Sequence, residues 1–511
     1  MQPHEESLLK LPEPVERYME AREERPTLDL VRWLCETLNK EGIVYCHWKS
    51  TAALDRSARG ENDLDLLVSR SDVSRFTEIL SRFGFKEVYN PKDLQPPVVL
   101  NCFGYDQQSG KLVHVHAHYR LILGHDLSKN YRVPIEAPYL ASSVQSDLFR
   151  VPAPEFELIL FAIRMVLKHS TWDTVFGRQG ILSTSERQEL AYLHARADNA
   201  QVYSLLKQHL PCIDESLFDD CIQAIQPGCS IWTRIRTGNK LLSRLKPLAS
   251  RPQILDLFLK LRNRTVGAIR RRILKREPKP HPVSGGAIIA IVGGDGAGKT
   301  TAVDELYAWL SKKIEVTKVH MGKPAWSITT IVIRGVLKIG RSLGLYPFMR
   351  VPLQQTLATD PLIFPGYPWL LRELCTARDR YLTYVKARRI ASSGGLVICD
   401  RYPLPQIKLM DGPVAERIIN APKNDWLIKY LARVENNYYQ QIMLPESLIV
   451  LRVEPEIAVQ RKTDEDEVSV RARSKEIWEL DFRHIPAHIV DANRSKAEVL
   501  SSLKALVWTE L

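Results

Sequence analysis

The residues best suited to chemistry stand together past the middle of the chain, in GGDGAGKTT at positions 293–301. Two glycines five positions apart, followed by Lys299 and Thr300, have the spacing of a phosphate-binding loop. The apolar run AIIAIV precedes this loop and a helical pattern follows it. Glycines let backbone N–H groups wrap a phosphate, and the start of a helix adds positive potential. We expect a nucleotide to bind here, with Lys299 neutralising the β- and γ-phosphates and Thr300 binding Mg²⁺.

Four later segments extend this pattern through residues 285–511. They are TARDRYL, GGLVICDRYP, SLIVLRVEPEIAVQRK and HIVDANRS. Together with the loop, they resemble thymidylate kinase and its nucleoside-monophosphate-kinase relatives, in the motifs G-x-D-G-x-G-K-T-T, A-x-D-R, D-R-Y and D-P-E-x-A-x-x-R. The resemblance implies an α/β P-loop kinase with a parallel sheet flanked by helices. It also implies that ATP and Mg²⁺ are the cofactors and that a small molecule accepts the phosphoryl group.

The resemblance assigns binding roles to particular residues of this sequence. The ATP site would comprise Gly293, Gly294, Gly296, Ala297, Gly298, Lys299, Thr300 and Thr301, with Asp491 before the loop that holds the adenine. The magnesium ion would be held by Thr300 and Asp400. The acceptor would be held by Arg380, Arg401 and Tyr402.

Phosphoryl transfer needs in-line positioning of the reactants and neutralisation of the charge on the moving group. The predicted catalytic residues are Lys299, Asp295, Asp400, Arg401, Arg461, Arg471 and Arg473. By resemblance, Asp295 would contact the acceptor's sugar or the magnesium shell. The loop has no arginine of its own, since its variable position is Ala297. The last three arginines, which belong to the predicted lid, would therefore meet the transition-state charge.

The acceptor side departs from the thymidylate kinase pattern. Where that family has an Arg-Glu-Pro turn, this sequence reads HMGKPAWS, with Gly322, Lys323 and Pro324 at the turn. The insertion WSITTIVIRGVLKIGRSLGLY follows, and it is interpreted as a buried helix pair over the acceptor site or as an interfacial membrane helix. The acceptor is therefore left open between a dTMP-like nucleoside monophosphate and another small molecule.

In the front half, HWKSTAALDRSARGENDLDLLV resembles the nucleotidyltransferase fold of the DNA polymerase beta superfamily, an α+β fold. Asp63 and Asp65 alternate in a predicted strand, so both carboxylates would face one side and hold a metal ion under a triphosphate. Lys49 and Ser50 stand in the turn where that family has a glycine, which lets the backbone approach the phosphates.

The third carboxylate that this superfamily carries on a later strand is not evident. The matching strand, KLVHVHAHYRLI, has His114, His116 and His118 at alternating positions, so all three would share one face. Histidine binds Zn²⁺ and Mn²⁺. The histidines could equally bond the carboxylates or a phosphate. An active transferase site, a binding-only relic and a structural role all stay open for this half.

The positive charge of the protein is concentrated in one segment. The chain of 511 residues has a net charge of +12. Residues 234–279 contain fifteen Lys/Arg and two Asp/Glu, or +13, so the remainder is close to neutral. This segment is either a solvated linker or a docking strip for an anionic partner, which could be nucleic acid, a membrane surface or a glycan.

These features predict four parts, namely a nucleotidyltransferase-like domain (1–125), a helical extension (126–232), a basic linker (233–284) and a kinase domain (285–511). Scattered cysteines without a C-x-x-C pair indicate reduced thiols, and neither a signal peptide nor a membrane span is evident, so we expect a cytoplasmic protein. A homodimer stays open. The leading hypothesis is a thymidylate-kinase-like phosphotransferase. The alternatives are a nucleotide-binding regulatory or docking protein without turnover, and a bifunctional kinase and nucleotidyltransferase acting on a sugar or glycan precursor.

Overall fold

The computed structural model describes residues 27–89, 99–125, 127–171, 182–273, 279–345, 366–407, 409–413, 415 and 425–511. The chain divides into two units, residues 1–85 with 96–266 (the front unit) and residues 86–95 with 267–511 (the back unit). Apart from residues 86–95, the first two predicted parts fall in the front unit, and the division between residues 266 and 267 lies within the predicted linker. All eight cysteines are among the described residues, and none of them is joined in a disulfide.

Strands and helices alternate along most of the chain. The strands are β1 (Tyr45–His47), β2 (Leu64–Val68), β3 (Lys86–Tyr89), β4 (Val99–Asp106), β5 (Lys111–His118), β6 (Ile122–Leu123), β7 (Tyr131–Arg132), β8 (Val144–Ser146), β9 (Phe149–Val151), β10 (His281–Pro282), β11 (Ile288–Gly293), β12 (Val316–His320), β13 (Leu396–Asp400), β14 (Ser447–Arg452) and β15 (Ala487–Asp491). The helices are α1 (Asp29–Lys40), α2 (Leu54–Ala58), α3 (Val73–Arg82), α4 (Glu136–Ala141), α5 (Pro154–His169), α6 (Thr184–Arg196), α7 (Asn199–His209), α8 (Glu215–Ala224), α9 (Ile231–Arg244), α10 (Gln253–Arg272), α11 (Lys299–Leu310), α12 (Ile328–Ser342), α13 (Tyr367–Ser392), α14 (Trp426–Gln440), α15 (Pro455–Arg461), α16 (Glu467–Glu479) and α17 (Lys496–Glu510).

The front unit contains a mixed sheet in the order β1-β2-β5-β4. Strands β2 and β5 are parallel, and the other two pairs are antiparallel. Successive residues of β2 point to opposite faces. Leu66 therefore joins the core under α1 and α3, whereas Leu67 joins the core formed with the helices from α5 onward. Asp65 lies on the same side of β2 as Leu67. The predicted nucleotidyltransferase-like fold stays a prediction for this unit.

Helix α5 is the centre of the helical part of the front unit. Thirteen of its sixteen residues are buried, because it is apolar on nearly every side and other helices surround it. Helices α6 to α9 each begin after a Ser or Asp whose side chain accepts a backbone N–H of the first turn, namely Ser183, Asp198, Asp214 and Ser230. Such caps satisfy N–H groups that have no partner inside the helix.

The predicted basic linker is largely helical, since it contains most of α9 and all of α10. Part of its charge is used inside the protein. Arg234 is buried and donates to the carbonyl of His169 at 2.8 Å. Lys260 is also buried and pairs with Asp256 at 3.1 Å. The anionic partner proposed for this segment stays a prediction.

The back unit contains five parallel strands in the order β12-β13-β11-β14-β15. All six residues of β11 are buried, as expected for the middle strand of a sheet that has helices on both faces. The carboxyl ends of β11 and β13 lie side by side, with Ile291 opposite Asp400. Ligands of open α/β sheets bind outside such strand ends. The predicted parallel α/β arrangement of the kinase-like half is therefore confirmed.

The insertion that follows the acceptor-side turn is not buried over the described residues. In α12 only Thr330 is buried, whereas Ile328, Val332, Val336 and Ile339 are more than half exposed. The helix contacts α13, and Arg334 of α12 donates to Thr376 Oγ1 of α13 at 3.2 Å. The buried interpretation is therefore wrong here. Among the described helices, none combines the length and apolar character needed to cross a bilayer.

Candidate functional site

The predicted phosphate-binding loop links β11 to α11. Gly296 has a φ of 74°, and a Cβ atom there would lie 2.8 Å from the carbonyl oxygen of Ala458, so a larger residue would disturb the turn. Lys299 is only 7% exposed and donates from Nζ to the carbonyl of Gly294 at 2.7 Å. Burial, followed by the nearby Arg401 guanidinium, lowers the pKa of Lys299 to about 8. The structure therefore places the predicted lysine at the first position of α11, directly after a loop of the predicted form.

A hydroxyl and a carboxylate meet beside the loop. Thr300 Oγ1 donates to Asp400 Oδ2 at 3.0 Å, although the residues are a hundred positions apart. Asp400 Oδ1 is buried and has no hydrogen-bond partner among the described residues. Because Mg²⁺ prefers oxygen ligands, the unsatisfied oxygen and the adjacent hydroxyl fit that ion. Thr300 and Asp400 are the two residues that the sequence predicts as magnesium ligands in the kinase domain.

Asp295 brings three cationic side chains around the loop. Its carboxylate is 2.8 Å from Arg473, 3.8 Å from Arg401 and 4.0 Å from Lys299. Asp295 itself is only 2% exposed. A buried carboxylate among several cations is balanced in charge, and it also fixes where those cations stand. The predicted acceptor contact of Asp295 stays a prediction.

Arg401 follows β13 directly and has a φ of 64°, a value that costs energy for a residue other than glycine. Its guanidinium is 3.6 Å from Asp411 and 3.8 Å from Asp295, beyond hydrogen-bond distance of both carboxylates. Its side chain crosses Gly322, where a Cβ atom would lie 2.3 Å from Arg401 Cδ. The structure thus gives a reason for the glycine at this turn, because a side chain at position 322 would displace Arg401.

The contacts of Arg380 differ from those expected of a residue that holds an acceptor phosphate. A guanidinium has five N–H donors, and all five of Arg380 are used inside the protein. They donate to Met321 O, Gly322 O, Asp411 O, Asp411 Oδ1 and Tyr439 Oη, at 2.7–3.3 Å. In this conformation Arg380 has no donor left for a phosphate, so it positions the acceptor-side turn instead.

Tyr402 is also used inside the protein. It is buried, and its hydroxyl donates to the carbonyl of Met443 at 2.6 Å. Tyr402 therefore anchors the chain after β13. This contact is structural, whereas the sequence predicts a contact with the substrate.

The two predicted lid arginines of α16 have different surroundings. Arg473 pairs with Asp295 in the loop and with Glu465 at 2.7 Å. Arg471 is half-exposed and pairs with Glu456. Of these two residues, the structure brings Arg473 to the loop and leaves Arg471 at the surface.

Arg461 lies at the end of α15 and contacts the loop after β15. It donates to the carbonyls of Ala492 at 2.8 Å and Asn493 at 3.4 Å. Asp491 accepts the backbone N–H of Asn493 at 3.0 Å and lies 3.5 Å from Arg494. Arg461 therefore shapes the loop predicted to hold the adenine, whereas its predicted catalytic role has no support from these contacts.

Asp411 is a site residue that the sequence does not reveal. It is buried, and its carboxylate lies 3.0 Å from Arg380 and 3.6 Å from Arg401. It stands in an irregular segment that has no motif. The one available signal is indirect, since two arginines near a phosphate site need a counter-charge.

In the front unit, the two aspartates of D-x-D pair with different side chains. Asp65 Oδ1 is 2.9 Å from Lys49 Nζ and 3.0 Å from His116 Nδ1. Asp63 Oδ1 is 2.9 Å from His114 Nδ1. The metal role predicted for the aspartates stays a prediction.

The turn that would hold a triphosphate is occupied by carboxylates. The backbone N–H of Ser50 donates to Glu189 at 3.1 Å, and that of Thr51 donates to Glu157 at 3.2 Å. Thr51 Oγ1 also donates to Glu157 at 2.6 Å. Burial raises the pKa of Glu157 to about 7. These carboxylates satisfy the donors that a phosphate would need.

Comparisons with known proteins give a consistent but coarse result. No protein-family model matches the chain. "Uncharacterized ATP-binding protein YghR" of Escherichia coli, in strains K12 and O6:H1, is 26% identical over 250 residues, which are 45% of this chain and 89% of that protein. "Uncharacterized ATP-binding protein YghS" of strain K12 is 27% identical over 220 residues, or 40% of this chain and 90% of that protein.

Among solved structures, deoxyadenosine kinase from M. mycoides with bound dATP is similar to 43% of this chain and 98% of that chain, at 18% identity and a TM-score of 0.26. That similarity is too weak to inform substrate or mechanism. The strand order, the loop between β11 and α11 and the Thr300–Asp400 contact define the class of the back unit as a P-loop kinase-like fold.

Proposed function

We propose that the back unit transfers the γ-phosphoryl group of ATP to a small acceptor in the presence of Mg²⁺. The observation that carries this proposal is the contact between Thr300 and Asp400 beside a loop that holds Lys299. A hydroxyl of the loop and a strand-end carboxylate with an unsatisfied oxygen are what Mg²⁺–nucleotide binding requires. The ATP-binding names of the Escherichia coli relatives support the choice of nucleotide.

The residues of the loop side would bind and orient ATP. Backbone N–H groups at the start of α11 would bind the phosphates, because the helix dipole favours negative charge there. Lys299, which donates to the Gly294 carbonyl in this structure, would donate to the phosphate oxygens instead. Thr300 and Asp400 would hold Mg²⁺, which would neutralise phosphate charge when it is bound.

Two arginines would act on the moving group and on the acceptor. Arg473 pairs with Asp295 of the loop at 2.8 Å, and its guanidinium would contact the γ-phosphate. Arg401 is 27% exposed, and its N–H groups are not committed to the neighbouring carboxylates. It is therefore suited to hold an anionic group of the acceptor in bidentate geometry. Arg380 and Asp411 would position Arg401 and the turn at Gly322 without contacting the substrate.

The acceptor that we propose is a nucleoside monophosphate or a related small phosphorylated molecule. Thymidylate kinases place an arginine at the turn where Gly322 stands here, and the close approach of Arg401 leaves no room for one. A single guanidinium, that of Arg401, would then serve the acceptor phosphate, because the donors of Arg380 are already used inside the protein. This difference favours an acceptor other than dTMP within the same chemical class.

The proposal is tested by a transfer assay with γ-labelled ATP, Mg²⁺ and a panel of nucleoside monophosphates, sugars and sugar phosphates. We expect label on one acceptor class with the wild-type protein, and a loss on the order of 10²-fold or more with Lys299→Ala. Lys312→Ala, which changes an exposed lysine after α11, is the matched control and should keep full turnover. ATP binding without transfer to any acceptor would instead favour a regulatory nucleotide-binding protein.

A further inference from the structure

Three potential ligand atoms converge in the front unit, away from the phosphate-binding loop. His116 Nδ1 lies 3.0 Å from Asp65 Oδ1 and 3.4 Å from His118 Nε2. The ligand atoms of these three residues all lie within 4.8 Å of one another. His118 is buried, and the other two are partly buried. The cluster therefore brings two imidazole nitrogens and a carboxylate oxygen to one point.

The register of the sheet explains why these side chains meet. Strands β2 and β5 are parallel, and Asp65 is the direct partner of His116. His118 is two residues further along β5, so it points to the same face. The ring of Trp48 packs against the ring of His118 edge to face, with centroids 5.0 Å apart. Backbone pairing and aromatic packing thus hold the cluster in place without any ligand.

Two of the distances fit a metal ion, and hydrogen bonds alone do not satisfy both contacts of His116 Nδ1. A metal with bonds of about 2.0–2.1 Å in tetrahedral geometry separates its ligand atoms by roughly 3.3 Å. Two of the separations in the cluster, 3.0 and 3.4 Å, are close to that value. His116 Nδ1 takes part in both contacts, and a neutral imidazole nitrogen carries at most one proton. A cation between the three atoms would satisfy both contacts at once.

The ligand types indicate which metal would bind. Imidazole nitrogen suits Zn²⁺ and related transition-metal ions, whereas Mg²⁺ prefers sites made of oxygen. A magnesium-bound triphosphate would also need the N–H groups of the turn at Ser50 and Thr51, and Glu189 and Glu157 accept those N–H groups. We propose that Asp65, His116 and His118 form a binding site for one divalent transition-metal ion of the Zn²⁺ class. Three protein ligands leave a fourth position for water or a substrate atom.

The ammonium group of Lys49 competes with a metal ion for the carboxylate of Asp65. Its ammonium lies 2.9 Å from Asp65 Oδ1, the same oxygen that faces His116. A positive charge at that position opposes the entry of a second cation, by Coulomb repulsion. Removing this charge while keeping the length of the side chain, as in Lys49→Met, should therefore strengthen metal binding.

The test uses the full-length protein after chelator treatment, titrated with Co²⁺ as a coloured probe and then with Zn²⁺. We expect one Co²⁺ per chain, a visible d–d absorption band and displacement of Co²⁺ by Zn²⁺. Asp65→Asn and His118→Ala should each weaken Co²⁺ binding by at least about 10- to 100-fold, the loss typical of even an outer-shell change. Circular dichroism checks that each variant is folded.

Three further variants test whether the bound Co²⁺ occupies this cluster. His194→Ala removes an exposed histidine of α6, and Asp304→Asn changes an exposed carboxylate of the back unit, so neither should alter the Co²⁺ titration. Lys49→Met should bind Co²⁺ more tightly than the wild type, which tests the site through a gain of affinity even if a ligand variant does not fold. Equal Co²⁺ binding by wild type and folded Asp65→Asn would overturn the proposal. The proposal would also be overturned if the front unit bound Mg²⁺–nucleotide but no Co²⁺ or Zn²⁺.

Discussion

The buried position of Lys299 makes nucleotide binding depend on pH in a way that can be calculated. Burial and the Arg401 guanidinium lower the pKa of Lys299 to about 8 in the ligand-free protein. A bound polyphosphate favours the charged ammonium, so binding should raise this pKa again. The charged form is therefore lost as the pH rises through about 8 in the free protein but is retained in the complex. ATP binding above this pH must take up a proton.

The magnitude follows from that pKa. If the complex stays protonated, the dissociation constant scales as one plus the ratio of neutral to charged Lys299 in the free protein. That factor is about 1.1 at pH 7, about 2 at pH 8 and about 11 at pH 9. Binding should thus weaken roughly tenfold between pH 7 and pH 9, or by about 1.4 kcal/mol. Proton uptake should be about half a proton per nucleotide at pH 8.

The assay is isothermal titration calorimetry with Mg²⁺ and a non-hydrolysable ATP analogue, in buffers of different ionisation enthalpy. Burial also lowers the pKa of His320 from its ordinary value, which favours the neutral imidazole in the free protein. Lys299→Arg keeps a charged side chain at every pH used and should abolish the buffer dependence. An affinity that is constant from pH 7 to pH 9 in the wild type, with no buffer-dependent heat, would refute this reasoning.

Three further predictions concern the acceptor side and the basic helix. Arg401→Lys replaces a planar fork by a point charge, so steady-state kinetics should show a higher acceptor KM or a lower kcat, with little change in the KM for ATP. An equal rise in the KM for ATP would contradict the proposal that Arg401 binds the acceptor. Gly322→Ala should weaken acceptor turnover about tenfold or more, because the added Cβ displaces Arg401, while ATP affinity measured by calorimetry stays unchanged. Neutralising Arg270, Arg271 and Arg272 together should reduce retention on heparin or anionic vesicles, with a smaller dependence on salt; unchanged retention would leave a solvated helix end.

The sequence predicts those parts of the back unit that depend on local pattern. The spacing of the loop, the apolar run of β11 and the helical period of α11 agree with one another, so the position of Lys299 follows from residues 288–310 alone. Asp400 is predictable for a similar reason, because it ends an apolar strand of a parallel sheet. Its contact with Thr300 then follows from the adjacency of β11 and β13.

The roles of the other charged residues depend on tertiary contacts that no local pattern contains. Arg380 is 59 positions from Met321 and Tyr439, and 31 positions from Asp411, and these distant groups consume its donors. Amphipathicity likewise predicts that α12 has an apolar face, but it does not tell whether another element covers that face. The sequence therefore identifies which residues can do chemistry, and the structure distinguishes those that face a ligand from those that hold the site together.

The most direct test of the phosphotransferase proposal is the effect of Asp400→Asn on transfer from γ-labelled ATP to the best acceptor of the panel. The matched control is Asp304→Asn, which changes an exposed carboxylate in the same unit. Because Asp400 and Thr300 would hold Mg²⁺ beside the loop, we predict that Asp400→Asn lowers kcat on the order of 10²-fold or more, while the control keeps wild-type activity. Full transfer activity in a folded Asp400→Asn protein would contradict the proposed role of this carboxylate and the proposed function with it.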